Sequence, residues 1–355
     1  MSSSNISYPS HSSQLDWLAI LRSMTIILVV MAHVRLWNIA TQANYIFIER
    51  INSFFVPLRM PVFIMVSGAL LYYTRISKGW KTLALYKDKA VRIGLPLLFC
   101  TILGNGMQLI FNGFVKNPID ITFTSFLQSF VLYTGTPFPH RWYLASLLTM
   151  MALYPIYIRM NTKWKAWLFW IGLIGIYPIN YGIICEHNWF QLFTINKYLI
   201  FFYTGILIFQ FEWWKKIQQH ASIIAAIMWP IYVICNLLHI TALPLLIETF
   251  PIVQLYSIIM MLSTAMVIAR IIPNSFATIR NYIFPIYLFG IAFQAFIELI
   301  VWRGIGCPDS LVFLFYVLNI VAGIYAPIFL SLIVEKTHNR FLQLCMGLKP
   351  KTSNI

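Results

Sequence analysis

The chain has 355 residues, of which 60% are hydrophobic and only 10% are charged. Soluble domains usually carry about 25% charged residues, so this composition excludes a soluble globular protein. Basic residues outnumber acidic ones by 25 to 10. They fall in short loops between apolar runs, as the orientation signals of membrane proteins do, and we therefore expect no nucleic-acid partner.

Ten apolar runs of the sequence are long enough to cross a ~30 Å hydrocarbon core as helices. They cover residues 17–36, 54–73, 91–111, 141–160, 164–182, 198–213, 222–242, 251–272, 281–301 and 312–334. A shorter apolar stretch, 121–134, is expected to lie in the interface or to re-enter the membrane. The sequence therefore predicts an all-α, polytopic membrane helix bundle with about ten transmembrane helices.

Lys and Arg residues alternate between the two sides of these spans. With the N-terminus in the cytoplasm, 17 of them fall in the inner loops and tail and 6 fall outside. This bias predicts cytoplasmic N- and C-termini. We expect a polar N-terminal tail over 1–16, one transmembrane domain over 17–334 and a basic cytoplasmic tail over 335–355. The first residues contain no Lys or Arg, so no cleaved signal peptide is expected.

Cysteine spacing and the absence of familiar motifs limit the possible chemistry. The five cysteines are scattered, with no CxxC and no short His/Cys spacing. This spacing predicts neither a disulfide framework nor a bound metal. Motifs for a serine nucleophile, a phosphate loop, GxGxxG and HExxH are also absent. Candidate site residues must therefore be sought among the polar side chains inside the spans.

Arg22 and His33 lie eleven residues apart in the first span. This spacing places both on one helical face, about 16 Å apart along the axis. Charges inside a membrane are costly and indicate function, and histidine titrates near neutral pH. We interpret the pair as an anion-binding arginine and a general base. A snorkelling arginine and a histidine bonded to a neighbouring helix are the alternative.

Two other spans carry an ionisable residue at roughly the depth of His33. Arg59 enters the second span from the outer side, and Ser67–Gly68 follows two turns deeper, where small residues permit close helix approach. Glu298 lies near the outer end of the ninth span and is the candidate carboxylate that orients the imidazole. Interfacial positions for Arg59 and Glu298 remain the alternatives.

The segment 74–92 is the most basic part of the chain, with six Lys or Arg residues. These residues certainly act as topology signals. A cluster of cations also favours polyanions, so the segment is equally a candidate docking surface for a phosphorylated cytosolic donor.

Five segments carry a family pattern. The sequence LRSMTIILVVMAHV is similar to a signature LR(G)xAxxxVVxxHx, and LRMPVFIMVSGALL to FxMPxFFxxSGxL. The basic YKDKAVRIGLP resembles RxxRIxxP, HRWYLASLLTMMALYP resembles HLWFLxxLLxxxLLxP, and FPIYLFG resembles FPIYLLH. Together they resemble the acyltransferase-3 family of integral membrane O-acyltransferases. The resemblance is specific within the first 160 residues and rests mainly on hydropathy beyond them.

This resemblance implies an enzyme of the cell inner membrane that needs no permanently bound cofactor. The expected donor is cytosolic acyl-CoA, usually acetyl-CoA, and the acceptor is a hydroxyl of an envelope polysaccharide, lipopolysaccharide or glucan sugar, or of a lipid-linked glycan. The matched positions and the residue-level arguments together make four groups of candidates: His33 as general base with Arg22 in support; Arg59 and Glu298 as catalytic partners; Lys87, Lys89 and Arg92 on CoA phosphates; and His140, Trp142 and Ser67 on the acceptor.

Two departures from the family pattern bear on the mechanism. Ser23 replaces the glycine that usually follows the arginine, and Gly290 replaces the histidine that commonly ends the span-nine motif. If that histidine assists the chemistry elsewhere in the family, Glu298 or His140 must substitute for it here; the alternative is that the family histidine is structural. The alternatives to acetyl transfer are succinyl transfer to periplasmic glucans, export of a lipid-linked glycan, and a non-catalytic membrane partner.

Overall fold

The computed structural model describes residues 15–34, 42–114, 118, 122–132, 139–179, 188–192, 195–238, 251–299, 306 and 308–348. Within these ranges the chain is helical and contains no β-strand. The α-helices are α1 (Asp16–Ala32), α2 (Gln42–Phe55), α3 (Met60–Leu71), α4 (Thr82–Lys89), α5 (Leu95–Phe111), α6 (Phe123–Gln128), α7 (Trp142–Ala152), α8 (Tyr154–Arg159), α9 (Lys163–Ile176), α10 (Ile195–Gln210), α11 (Trp213–Gln219), α12 (Ala221–Leu237), α13 (Ile252–Ile271), α14 (Ala277–Ile297), α15 (Val312–Lys336) and α16 (Arg340–Cys345).

The described part of every predicted span is mostly helical, which confirms the all-α membrane bundle. By length and composition, five described helices can cross a membrane, or six if α11 and α12, bent by 83°, form one span. The predicted span 141–160 is divided at Leu153 into α7 and α8, because Pro155 cannot continue the backbone ladder of α7. Crossing by all ten spans and the cytoplasmic termini stay predictions.

Glycines set the closest approach between α3 and α10. A Cβ atom at Gly68 would overlap the carbonyl of Phe202, and one at Gly205 would overlap the carbonyl of Met65. The two helices therefore touch through their backbones, as small residues allow in membrane bundles. This contact is the helix approach that the Ser67–Gly68 pair predicts.

A second glycine contact joins α14 to α15. A Cβ at Gly290 would lie 2.7 Å from the carbonyl oxygen of Gly323. A Cβ at Gly323 would in turn meet Val30 of α1 and Gln294 of α14. The position that departs from the family pattern is thus a tight junction between three helices.

The segment after residue 334 is partly packed against the bundle. Helix α16 contacts α5 and α15, and Cys345, Met346 and Leu348 are buried. Burial raises the pKa of the Cys345 thiol above its ordinary value. Residues 1–14 and 349–355, which hold most of the predicted N-terminal tail and the end of the basic tail, lie outside the described residues.

Candidate active site

A cavity of about 420 Å³ lies where six helix ends meet. Helices α1 and α9 end at it, and α3, α7, α10 and α13 begin at it. The charge pattern predicts all six of these ends on the outer side of the membrane. His33, Arg59 and Trp142, three of the predicted site residues, line this space, which we call the His33 cavity.

His33 follows the last residue of α1 and is held by the preceding turn. Its Nδ1 lies 2.7 Å from the carbonyl oxygen of Val29. Because a carbonyl oxygen can only accept, this hydrogen bond requires Nδ1 to carry a proton. In the neutral ring Nε2 is then the basic nitrogen. The backbone of α1 thereby sets the tautomer and the orientation that a general base needs.

Arg59 caps α3 immediately after the turn that contains Pro57. Its Nη2 donates to the backbone carbonyl of Asn52, and the guanidinium interacts electrostatically with Glu49. Within the described residues its Nε has no hydrogen-bond partner. The guanidinium is therefore anchored at one edge and keeps donor capacity for a ligand.

Two aromatic rings form one wall of the His33 cavity. Trp142 and Tyr198 lie with ring centroids 5.0 Å apart and planes inclined by 30°. Next to them, the amide Nε2 of Gln254 donates to the hydroxyl oxygen of Tyr177 over 3.2 Å. All four side chains line the cavity. An apolar, largely flat surface with a few polar groups at its edge is the usual construction of a small-molecule site.

Lys197 is a cavity residue that the sequence analysis missed. The charge pattern of the sequence places Lys197 only among the six outer basic residues, because it directly precedes the predicted span 198–213. In the structure it is half-buried in the first turn of α10 and lines the His33 cavity. No sequence signal separates a lysine that faces a cavity from one that faces the lipid headgroups.

Arg22 belongs to a second polar cluster, deeper in the bundle. Ser67 Oγ lies 2.8 Å from the hydroxyl oxygen of Tyr143, and Arg22 interacts electrostatically with the same hydroxyl group. Arg22 precedes His33 by eleven residues on α1, and Ser67 follows Arg59 by eight on α3. At 1.5 Å per residue, the cluster lies roughly 12–16 Å below the cavity. Arg22 and His33 therefore lie at two levels of the bundle, while the side of the membrane that each one faces stays a prediction.

His140 packs against α14 and does not line the His33 cavity. Its ring Nε2 lies 3.2 Å from the carbonyl oxygen of Leu288, its own carbonyl accepts from the hydroxyl of Tyr287, and its side chain is 5% exposed. Acceptor binding by His140 stays a prediction. The adjacent Arg141 is completely buried and donates to Thr101, a second residue whose position the sequence analysis missed.

Glu298 caps the C-terminal end of α14 and is not among the residues that line the His33 cavity. One turn earlier, Gln294 donates to the backbone carbonyl of Val30 over 3.0 Å, so α14 approaches α1 close to His33. The carbonyl of Val29 already occupies the orienting position on Nδ1 that the sequence analysis assigned to Glu298. The catalytic role of Glu298 stays a prediction.

The predicted donor surface is organised around Asp88. This carboxylate lies 3.1 Å from Arg75, 3.6 Å from Lys89 and 2.8 Å from Arg92. Lys87 is exposed and forms no ion pair within the described residues. Three of the six cations are therefore held together by one carboxylate, which fixes their positions and leaves the group with an excess of positive charge.

An apolar groove of about 580 Å³ lies beside this cation cluster. Its lining residues include Lys89, Leu97 and Thr101 of α5, Phe130 and Phe190. It shares no lining residue with the His33 cavity. Among the described residues, no group of three or more His, Cys, Asp or Glu is placed to hold a metal ion.

Comparison with known proteins adds one finding. A family model described as an acyltransferase domain matches residues 15–334. This range contains the His33 cavity, the Arg22 cluster and the cations around Asp88. No curated protein and no solved structure matches the chain.

Proposed function

We propose, because the chain belongs to the acyltransferase-3 family of membrane acyltransferases, that it moves an acyl group from cytosolic acyl-CoA to a hydroxyl of an envelope sugar. Acetyl is the expected acyl group, and a polysaccharide, lipopolysaccharide or glucan is the expected acceptor. The cell inner membrane is the expected location. The observation that carries this proposal is the His33 imidazole, whose Nδ1 proton is donated to Val29 while the ring lines a cavity.

The acceptor half of the reaction takes place in the His33 cavity. The sugar ring packs on Trp142 and Tyr198, whose flat apolar faces suit the C–H face of a sugar. One hydroxyl of the sugar approaches Nε2 of His33, which removes its proton as the oxygen attacks the thioester carbonyl. The negative charge that develops on the carbonyl oxygen is stabilised by Arg59.

Collapse of the tetrahedral intermediate completes the transfer. The carbon–sulfur bond breaks, the new ester stays on the sugar, and the CoA thiolate takes the proton from His33. Products are one acylated sugar and one free CoA thiol, and His33 returns to the neutral form. No permanently bound cofactor is needed, because acyl-CoA is a substrate.

The donor binds at the opposite end of the bundle. Lys87, Lys89 and Arg92 are the candidate ligands of the CoA phosphates, and Asp88 holds two of these three in place. Arg22, Ser67 and Tyr143 lie between that surface and the His33 cavity. Their hydroxyl and guanidinium groups offer polar contacts to the part of the donor that must extend through the bundle.

Labelled acetyl-CoA provides the test. Membranes that contain the full chain are incubated with [¹⁴C]acetyl-CoA and isolated envelope glycans, and mass spectrometry locates the ester. We expect wild-type membranes to transfer label and His33→Ala membranes, with equal protein content, to transfer none. Transfer by His33→Ala at the wild-type rate would contradict the proposal. An exporter of lipid-linked glycan would instead change the amount of surface glycan and leave its acylation unaltered.

A further inference from the structure

The wall of the His33 cavity contains one more cation than the acyl transfer requires. Lys197 is half-buried on α10, lines the cavity and makes no ion pair or hydrogen bond within the described residues. Arg59 lines the same cavity and is sufficient for a developing oxyanion. A half-buried lysine that lines a cavity and has no protein partner is available for charge-assisted hydrogen bonds to an anionic ligand.

The charge balance of the cavity is one-sided. Arg59 and Lys197 both line it, and the described lining residues include no Asp or Glu. Glu49 interacts with Arg59 from outside the lining, so Lys197 is the cation left without compensation. A neutral sugar hydroxyl and a neutral acetyl group would leave this half-buried cation without a counter-charge.

We propose that Lys197, together with Arg59, forms an anion subsite, and that a substrate reacting at His33 carries a carboxylate or phosphate close to the reacting atoms. This inference rests on the proposed acyl transfer and names the substrate class more narrowly. The cavity of about 420 Å³ lies within the range of small-ligand sites, which is roughly 300–1,000 Å³. It therefore has room for one sugar residue or acyl group with its anionic substituent.

The anion can come from either substrate. A dicarboxylic acyl donor would bring a terminal carboxylate into the cavity when its thioester reaches His33. An acidic or phosphorylated glycan would bring the charge with the acceptor. The chemistry of recognition is the same in both cases, namely charge-assisted hydrogen bonds from an ammonium and a guanidinium group, and kinetics distinguishes the two sources.

Binding of small anions tests the subsite without any turnover. The full-length protein in lipid nanodiscs is titrated with glycerol 1-phosphate and with monomethyl succinate, with glycerol as the neutral probe, at constant ionic strength. Thermal stabilisation is the readout. We expect both anions to bind, Lys197→Met to weaken binding about tenfold, and Lys197→Arg to retain it. Lys216→Met, which removes an exposed lysine from α11, is the matched control and should bind as wild type does.

Steady-state kinetics then identifies the charged substrate. If the acyl group carries the anion, succinyl-CoA has a higher kcat/KM than acetyl-CoA, and Lys197→Met loses this preference. If the acceptor carries it, Lys197→Met loses the preference for the acidic fraction of envelope glycans, whichever donor is used.

Two results would overturn the subsite: wild-type protein that binds neither anion better than glycerol, or Lys197→Met with wild-type anion affinity and substrate preference. Failure of the proposed acyl transfer looks different. In that case no donor yields an acylated glycan, while the anion titration still reports on the subsite.

Discussion

The Nδ1 atom of His33 and the carbonyl oxygen of Val29 lie 2.7 Å apart, within a single turn at the end of α1. The imidazole is therefore oriented by the backbone of its own helix. A carboxylate orienter could be removed by a side-chain substitution, whereas this carbonyl remains as long as α1 remains helical. The backbone of α1 thus contributes directly to holding the general base in its reactive tautomer.

Replacing His33 tests the general base directly. We expect His33→Gln to lower kcat by about 10²- to 10⁴-fold, the usual contribution of general base catalysis, with little change in acceptor KM. Radiolabelled acyl transfer in membranes measures this. His220→Ala, which removes an exposed histidine between α11 and α12, should retain wild-type activity. A comparable loss in both variants would show that the assay reports protein amount.

Removing the aromatic platform should affect the acceptor alone. Trp142→Ala deletes the ring that packs beside Tyr198 in the cavity wall, and we expect acceptor KM to rise about tenfold with donor KM unchanged. Trp164→Ala removes a tryptophan that is 75% exposed on α9 and serves as the control. Equal KM values for both variants would place the acceptor elsewhere.

Neutralising the cations near Asp88 should weaken donor binding. The double variant Lys89→Met, Arg92→Met removes two positive charges from the predicted phosphate surface. Each charge is expected to contribute about 1 kcal/mol to the free energy of donor binding, so the donor Kd should rise by at least about tenfold. Salt should reproduce part of this loss in the wild type, since exposed charges are screened. Equilibrium binding of acetyl-CoA measures it, with Lys216→Met as the control. An unchanged Kd in the double variant would exclude this surface as the donor site.

The contact between α3 and α10 predicts a stability effect. Gly68→Ala places a methyl group into the carbonyl of Phe202, and overpacking of this kind costs about 1–3 kcal/mol. Thermal unfolding in detergent should show a lower Tm. Gly172→Ala on α9 meets no atom within 4 Å, so it should be neutral or slightly stabilising, because alanine favours helix over glycine. Equal Tm values for the two variants would contradict the backbone contact.

Much of the fold was predictable, because hydrophobic length alone fixes which segments are helices. The positions at which the helices break were harder to predict. The predicted span 141–160 contains Pro155, which neighbouring helices can accommodate by satisfying the freed carbonyl groups, yet this proline separates α7 from α8. Helix α2 lies outside the predicted spans except for its last two residues, because the run before them is too short and too polar for the span criterion.

The site was predictable where helical geometry alone decides it. The eleven-residue spacing correctly placed His33 and Arg22 at two depths on α1, and Arg59 does share the cavity with His33. Lys197 and Asp88 were not assigned, because their roles depend on which helices meet in space. The family pattern drew attention to His140, whose buried contacts with α14 no linear motif reveals.

The junction of Gly290 with Gly323 limits which side chains position 290 can hold. Even the Cβ of a larger residue would lie 2.7 Å from the carbonyl oxygen of Gly323, so α14 and α15 would have to separate to admit it. A histidine introduced there to match the family pattern would therefore disturb helix packing, and a loss of activity in that variant would report on the packing of the bundle rather than on the chemistry of an imidazole.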